Sequence, residues 1–228
     1  MNPDPIHLFQ YLDQTRQLYG NQLFLKDMKQ NAIEIAHKNL DSFKESICNC
    51  QECPLGQTRN NFVFGVGNPQ ADIVFVGEAP GEKEDLQGIP FVGRAGKLLD
   101  KMLAAIELKR DDVYICNVLK CRPPNNRNPL PSEVEKCEPY LINQLNHINP
   151  KLIVALGRIS ACTIMKTKES LKNLRNQIFT YEGIDLLVTY HPAALLRNPN
   201  FKKPSLAHHS KAFEDDPLAI LALILLRP

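Results

Sequence analysis

The stretch Asp72-Ile73-Val74-Phe75-Val76 decides the fold, because an uninterrupted apolar run of this length predicts a strand buried on both faces. Strands of this kind belong to parallel sheets flanked by helices, and ligands bind to such sheets in the crevice beyond the carboxyl ends of the strands. A polar, glycine-rich tract follows directly, Gly77-Glu78-Ala79-Pro80-Gly81-Glu82-Lys83-Glu84-Asp85. The tract therefore begins where a ligand site is expected.

A second segment extends this tract, Gly88-Ile89-Pro90-Phe91-Val92-Gly93-Arg94-Ala95-Gly96. A long surface loop is the plainest interpretation of so many glycines and prolines. Two features favour a pocket instead. A passive loop needs no aromatic ring at Phe91, and it does not need three carboxylates, Glu78, Glu84 and Asp85, close after a buried strand.

Strand and helix patterns alternate along the rest of the chain. Strands are predicted at 72–77, 113–118, 151–156 and 185–190, and helices at 96–107, 133–147 and 158–166. Such alternation is typical of a sheet covered by helices on both faces. We therefore predict an α/β fold of three layers, α/β/α, around a central, mostly parallel four-stranded sheet.

The N-terminal residues predict a helical extension of this fold. Two amphipathic segments, Ile6–Leu18 and Ile33–Ile47, are joined by a polar link. We expect residues 1–46 to pack on or flank a domain formed by residues 47–228. These helices either extend the core or dock a protein partner.

Composition bounds the function only loosely. The 228 residues are 43% hydrophobic, enough for one sizeable core, and the formal net charge of +2 does not by itself indicate a polyanion partner. No apolar run approaches the roughly 18 residues of a membrane span, and the apolar segment 218–226 favours a buried terminal helix after an exposed connection at 197–217. The start of the chain lacks a secretory signal, so we expect the protein in the reducing cytoplasm. We also expect a monomer, with no membrane partner.

Seven cysteines in a reducing compartment argue for metal binding rather than for disulfides. Cys50 and Cys53 form a C-x2-C pair, Cys121 lies in the loop after the second predicted strand, and Cys137 lies in the helix that follows. Four thiolates from three elements could converge on one site. Such a thiolate set selects zinc or an iron–sulfur cluster, and the spacing leaves these two open, beside the alternative of scattered structural thiols. Cys116 and Cys162 lie in apolar patterns typical of core residues, and Cys48 is either a spare thiol or a rival to Cys50.

Two further polar residues follow predicted strands. Asn117 is at a position where a turn-forming asparagine is common, but its amide also suits the edge of a nucleobase. His191 is at the end of the last strand and is followed by Pro192, which favours a functional histidine over a merely structural one. Basic residues cluster in the loops on the same side: Arg94, Lys97, Lys120, Arg122, Arg127, Arg197, Lys202 and Lys203. Such a patch suits phosphate groups, although solvated charge is the default interpretation of any one member.

Together these motifs resemble the family-4 uracil-DNA glycosylases, the iron–sulfur branch of the uracil-DNA glycosylase superfamily. The resemblance covers about residues 47–200 and rests on four segments that occur in the family's order: Gly77–Gly81, Pro90–Gly96, Asn117–Pro124 and His191–Arg197. It implies that Cys50, Cys53, Cys121 and Cys137 hold one 4Fe-4S cluster with a structural role.

The resemblance also implies an activity, hydrolysis of the N-glycosidic bond of deoxyuridine after the nucleotide is flipped out of DNA. Phe91 would stack on the uracil and Asn117 would hydrogen-bond its Watson–Crick edge. His191 would donate to the uracil O2, where negative charge grows. Glu84 would orient or activate water, and Glu78 would shape the pocket near the uracil C5.

The remaining implied contacts concern the pocket lining and the DNA. Ala79 and Gly81 would line the uracil pocket. The loop 193–197 would enter the minor groove with an apolar wedge, Leu195 or Leu196. The implied phosphate contacts are Arg94, Arg122 and Arg197.

The chain departs from the family pattern in its N-terminal extension and in Cys48. A relative that binds uracil-DNA covalently carries a histidine-containing insertion, and the segment 125–131 has no histidine, so we expect turnover. The chief alternative is a non-catalytic protein that binds uracil-DNA or single-stranded DNA on the same fold. An electron carrier would want a compact ferredoxin-like cysteine run, which the chain lacks.

Overall fold

The computed structural model describes residues 39–175 and 177–198. Predictions for other residues lie outside this range. They include the helix Ile6–Leu18, the terminal segment 218–226, and the part that Lys202 and Lys203 would play in the basic patch.

The described residues form a six-stranded sheet. Its strands are β1 (Val66–Gly67), β2 (Ile73–Gly77), β3 (Tyr114–Asn117), β4 (Leu152–Leu156), β5 (Ile178–Tyr181) and β6 (Ile184–Thr189). They lie in the order β1-β3-β2-β4-β6-β5. The four inner strands are mutually parallel, which confirms the predicted parallel sheet.

Two edge strands were not predicted, so the sheet has six strands rather than four. β1 pairs antiparallel with β3, and β5 pairs antiparallel with β6. β1 is two residues long, too short to give a periodic pattern. β5 joins β6 through a tight turn in which Glu182 and Gly183 both have positive φ, a geometry that favours hairpins.

Helices cover the sheet on both faces. They are α1 (Leu40–Ile47), α2 (Leu55–Thr58), α3 (Glu82–Gln87), α4 (Arg94–Ala104), α5 (Pro131–Ile148), α6 (Arg158–Met165), α7 (Leu171–Leu174) and α8 (Pro192–Arg197). Single turns of 3-10 helix occur at Arg110–Asp112 and Pro124–Asn126. The three predicted helices correspond to α4, α5 and α6, with ends displaced by up to three residues.

Alternate residues of β2 pack on opposite faces of the sheet, as the pleat requires. Val74 and Val76 belong to a core shared with α1, α5 and α6. Ile73 and Phe75 belong to a second core that contains Leu99 of α4. This division gives the predicted three layers.

The helix predicted at Ile33–Ile47 begins at Leu40 within the described residues. Asn39 is extended, with φ −160°, and its side chain accepts the N–H of Ser42 at 2.9 Å. An asparagine that caps a helix in this way starts it rather than continues it. Leu40 and Phe43 are buried in the core, so this end of the predicted extension packs on the sheet domain.

Strand register brings the functional ends of the strands together. Gly77 is paired with Asn117, and Leu156 with Thr189, so β2, β3, β4 and β6 end at one edge of the sheet.

Among residues 39–175 and 177–198, no helix is both long and apolar enough to span a bilayer.

Candidate active site and cysteine cluster

A cleft of about 580 Å³ lies at this edge of the sheet. The predicted residues that line it come from the ends of β2, β3 and β6 and from the segments after them: Glu78, Ala79, Gly81, Glu84, Phe91, Asn117, His191 and Arg197. Residues separated by more than a hundred positions in sequence therefore share one cavity. The predicted DNA contacts Arg94, Arg122, Leu195 and Leu196 lie outside its lining.

Asn117 and Phe91 meet at the end of β2 because the residue between them is glycine. A Cβ atom on Gly77 would lie 2.3 Å from Asn117 Oδ1 and 2.6 Å from the Phe91 ring. Asn117 is only 2% exposed, and its side-chain amide makes no hydrogen bond with another described residue. Because Asn117 lines the cleft, its amide is available to pair with a ligand there.

Phe91 is held in an unusual backbone conformation. Its φ is 53°, in the left-handed region that non-glycine residues seldom adopt. Arg110 stabilises the turn by donating to the carbonyl oxygens of Pro90, at 3.2 Å, and of Phe91. Asp100 in turn accepts from Arg110 Nε at 2.6 Å. Sequence analysis missed Arg110, since nothing local marks it as the support of an aromatic turn.

Glu84 is oriented by backbone groups. It lies in the first turn of α3, and its Oε1 accepts the N–H groups of Val92 at 2.9 Å and Gly93 at 2.8 Å. The carboxylate thus joins the two glycine-rich segments of the tract. Oε2 makes no hydrogen bond with a described residue, which leaves it available in the cleft.

His191 presents a defined ring nitrogen to the cleft. Its Nδ1 accepts the N–H of Ala193 at 3.1 Å, so the neutral ring carries its proton on Nε2. Burial lowers the pKa of His191 to about 4, and nearby Arg197 acts in the same direction, partly opposed by Glu84. At neutral pH the residue is therefore an uncharged Nε2–H donor.

Burial also raises the pKa of Glu78, which follows β2 directly.

The cleft has a wall that sequence analysis did not predict, formed by Pro123, Asn126, Arg127 and Asn128. Arg127 anchors this wall to α5 through a 2.5 Å ion pair with the buried Glu133. The run of asparagines and prolines indicated a turn, but only the tertiary fold aligns it with the cleft.

The basic patch is only partly as predicted. Lys120 is fully buried, so it does not lie at the surface with the other basic residues. Arg122 lies 4.0 Å from Glu82, and Arg197 is exposed at the rim of the cleft. The segment 193–197 was predicted as a loop, but it belongs to helix α8, where Leu195 is buried and Leu196 is partly exposed.

The four predicted cysteine ligands line one small second cavity: Cys50, Cys53, Cys121 and Cys137. Polar groups surround their sulfur atoms. Tyr140 donates its hydroxyl to Cys50 Sγ at 3.2 Å, Arg59 Nη1 contacts Cys121 Sγ at 3.3 Å, and the Lys120 N–H contacts Cys137 Sγ at 3.3 Å. Such contacts suit thiolates that bind a metal group.

The other cysteines lie elsewhere. Cys116 is fully buried in the core, and Cys162 packs against the same core. Cys48 donates a hydrogen bond to the Glu45 carbonyl and does not line the second cavity. No three His, Cys, Asp or Glu side chains of the described ranges are close enough to share a single metal ion. In an iron–sulfur cluster each cysteine binds a different iron atom, so the sulfur atoms need not meet at one point.

Electrostatics around the second cavity are balanced by two cations. Burial raises the pKa of Cys137 to about 12, and Lys120 partly opposes this. Burial raises the pKa of Cys121 as well, opposed by Arg59. Burial therefore disfavours the thiolate form of Cys121 and Cys137, and the neighbouring Arg59 and Lys120 favour it.

The combination of fold, cleft and strand-end motifs defines the class. Residues 64–215 match the Uracil DNA glycosylase superfamily, and the chain belongs to that superfamily. Its place within the superfamily follows from three relatives named as Type-4 uracil-DNA glycosylases. The Archaeoglobus fulgidus protein is 49% identical over 174 residues, 73% of this chain and 87% of its own.

The Sulfurisphaera tokodaii protein is 48% identical over 72% of this chain and 79% of its own length. The Saccharolobus solfataricus protein is 47% identical over 72% and 81%, respectively. The chain is a member of the Type-4 uracil-DNA glycosylase family.

Proposed function

We propose that the protein is a DNA repair glycosylase that hydrolyses the N-glycosidic bond of deoxyuridine, releasing uracil and leaving an abasic site. The observation that carries this proposal is the meeting of Phe91, Asn117, Glu84 and His191 around one cleft. Family membership supports it. The substrate is uracil-containing DNA, from which the nucleotide is flipped into the cleft.

Base choice depends on Asn117 and Phe91. The Asn117 amide offers a donor and an acceptor side by side, which match the O4 and N3–H of uracil. Cytosine presents an amino group in place of O4 and would leave buried polar groups mispaired, at about 1–3 kcal/mol per group. Phe91 stacks on the base, and Glu78, with Ala79 and Gly81, closes the pocket near C5.

Bond cleavage depends on His191 and Glu84. As the bond between N1 and C1′ breaks, its electron pair passes to the uracil ring, and negative charge grows on O2. The Nε2–H of His191 donates to that oxygen, a contact that strengthens in the transition state. The Glu84 carboxylate stabilises the positive sugar, and its Oε2 takes a proton from the water whose oxygen bonds to C1′. The carboxyl group releases that proton to solvent, and the departing uracil anion takes up one proton from solvent.

DNA binding uses the rim of the cleft. Arg94, Arg122 and Arg197 contact phosphates. Leu196 is the better wedge of the two leucines, because Leu195 is only 8% exposed and packs inward. The wedge fills the gap that the flipped nucleotide leaves.

We further propose that Cys50, Cys53, Cys121 and Cys137 hold one 4Fe-4S cluster. Their shared cavity and the donors around it support this assignment over scattered thiols. The cluster would supply structure, joining the segment around Cys50 to the segment around Cys121. We also propose a monomer that acts in the cytoplasm, where thiols stay reduced, with the part of the N-terminal extension that precedes α1 available to a protein partner.

The test is base release from an oligonucleotide with one uracil, using matched cytosine and thymine oligonucleotides and anaerobically purified protein. Uracil-selective, multiple-turnover release is expected. Tight binding of uracil-DNA without release would favour a non-catalytic binder. A covalent adduct would contradict the turnover expected from a histidine-free segment 125–131.

A further inference from the structure

We propose that Lys120 is a positioning residue, which connects the base-reading Asn117 to the cysteine site. The proposal rests on the proposed function, since it assigns Asn117 to the uracil edge. It concerns a residue that has no direct access to DNA, because its side chain is fully buried.

One end of Lys120 holds the backbone of Asn117. The Nζ atom donates to the Asn117 carbonyl oxygen at 2.7 Å. Its second partner is Oε1 of Gln144, a fully buried side chain of α5 whose Nε2 donates to the Phe64 carbonyl at 2.9 Å. The Lys120 amine is therefore fixed against α5 while it also binds the Asn117 carbonyl oxygen.

The other end of Lys120 belongs to the cysteine site. Its N–H contacts Cys137 Sγ at 3.3 Å, and its carbonyl accepts from the Val63 N–H at 2.8 Å. Cys121 is the next residue in the chain. A displacement of the cysteine segments would therefore move the side chain that holds Asn117.

The Asn117 carbonyl matters because this residue ends its strand. The chain continues along β2 through bonds from Val118 to Gly77 and from Leu119 to Glu78, each 3.0 Å long. Lys120 Nζ supplies a donor from outside the sheet that fixes the peptide plane after Asn117. Without it the buried carbonyl loses this donor, and the amide that reads uracil loses its fixed direction.

A buried lysine that only stabilises the fold would give a different result in a double-mutant cycle. We expect Lys120→Met to slow single-turnover uracil release by about tenfold in the parent protein, as contacting residues often couple to that extent. In an Asn117→Ala background the same change should slow release by less than about twofold. The control cycle pairs Lys120→Met with Glu84→Gln, where the effects should multiply.

A second readout is independent of activity. Iron and sulfide content of Lys120→Met should equal that of the parent, because the backbone N–H to Cys137 remains. If Lys120→Met does not fold, Lys120→Gln serves in its place, since its amide is too short to reach the Asn117 carbonyl. Loss of iron from the folded variant, whichever of the two is used, would assign Lys120 to the cysteine site alone and overturn the proposal.

Equal losses in the parent and in the Asn117→Ala background would also overturn it. This failure is distinct from failure of the proposed function. A parent protein that retains iron but releases no uracil refutes the glycosylase. A parent that releases uracil while the cycle is additive refutes only the role of Lys120.

Discussion

The rings of Phe91 and His191 lie face to face beside the cleft, with centroids 5.6 Å apart and planes inclined by 30°. A base inserted between two rings needs about 7 Å, since each stacking contact takes about 3.5 Å. A uracil flipped into the cleft, as proposed, would therefore stack on one face of Phe91 only. The other face contacts the His191 ring, so in the proposed mechanism one aromatic ring would serve both base binding and the orientation of the hydrogen-bond donor.

Phe91→Ala should lower kcat/KM for uracil release by roughly 5- to 150-fold, because base–aromatic stacking contributes about 1–3 kcal/mol. Steady-state assays on a uracil oligonucleotide measure this. Phe179→Ala on the edge strand β5 is the matched control and should leave kcat/KM unchanged. Equal losses in the two variants would contradict a stacking role for Phe91.

The activity should persist into acid. The pKa of His191 is about 4 instead of the usual 6.5, so the neutral donor remains present as the pH falls through 6 and is lost near 4. A pH profile of kcat/KM should thus be flat between about pH 8 and 5 as far as His191 determines it. An acid limb centred on 6.5 would show that the pKa of His191 is not lowered, and activity lost as the pH rises through 6.5 would show that the histidine acts in its charged form.

The stability of the fold should also depend on His191, but unlike the activity it should decrease toward acid pH. Between pH 6.5 and 4 the unfolded chain binds a proton at His191 that the folded chain does not, so the free energy of unfolding falls as pH falls. The loss at pH 5 is roughly 2 kcal/mol relative to pH 7. Denaturant unfolding of His191→Gln should lack this component.

Asp85 should stabilise the tract that carries Glu84. It is 1% exposed and accepts the Asn60 N–H at 3.0 Å, while its own carbonyl accepts from the Asn61 amide at 2.8 Å. Asp85→Asn should reduce the free energy of unfolding by about 1.5–3 kcal/mol and lower uracil release with it. Glu82→Gln, an exposed carboxylate in the same helix, should cost less than about 1 kcal/mol.

The cysteines should fall into two groups. Serine at any of the four cavity positions, for example Cys53→Ser or Cys121→Ser, should remove iron and the visible colour of the protein. Cys48→Ser and Cys162→Ser should retain both, because neither lines the second cavity. Retention of iron in Cys50→Ser together with its loss in Cys48→Ser would reassign the ligand from Cys50 to Cys48.

The two leucines of α8 should behave differently. Leu195→Ala should destabilise the fold by about 2–5 kcal/mol, as buried leucines do. Leu196→Ala should leave stability almost unchanged and reduce release from duplex DNA more than from single strands, where no gap needs filling. Comparable losses on both substrates would remove Leu196 from the wedge role.

Much of this arrangement was predictable because its signals are local. Apolar runs such as Asp72–Val76 and Leu152–Leu156 identified the parallel strands, and polar residues at their ends identified the cleft. Parallel strands bring their carboxyl ends to one edge, so Glu78, Asn117 and His191 could be grouped without coordinates. The four cysteines could also be grouped from the sequence, but their spacing did not distinguish zinc from an iron–sulfur cluster.

The rest depends on contacts between distant segments, which leave no periodic signal. Lys120 follows a strand in a polar run, which favoured a surface position, and only the fold reveals that Gln144 and the Asn117 carbonyl surround its amine. Arg110 supports Phe91 from nineteen residues away. The helix α8 was mistaken for a loop because Pro192 and Asn198 bracket it so closely.

Gly77 restricts how this enzyme can change its substrate. Even the smallest side chain there would collide with both Asn117 and Phe91, the two groups that we propose recognise the base, so the position is closed to substitution. A change in base preference would therefore have to come from other residues that line the cleft, such as Glu78 and Ala79. The absence of a side chain at Gly77, at the end of β2, thus limits which substitutions the pocket can accept.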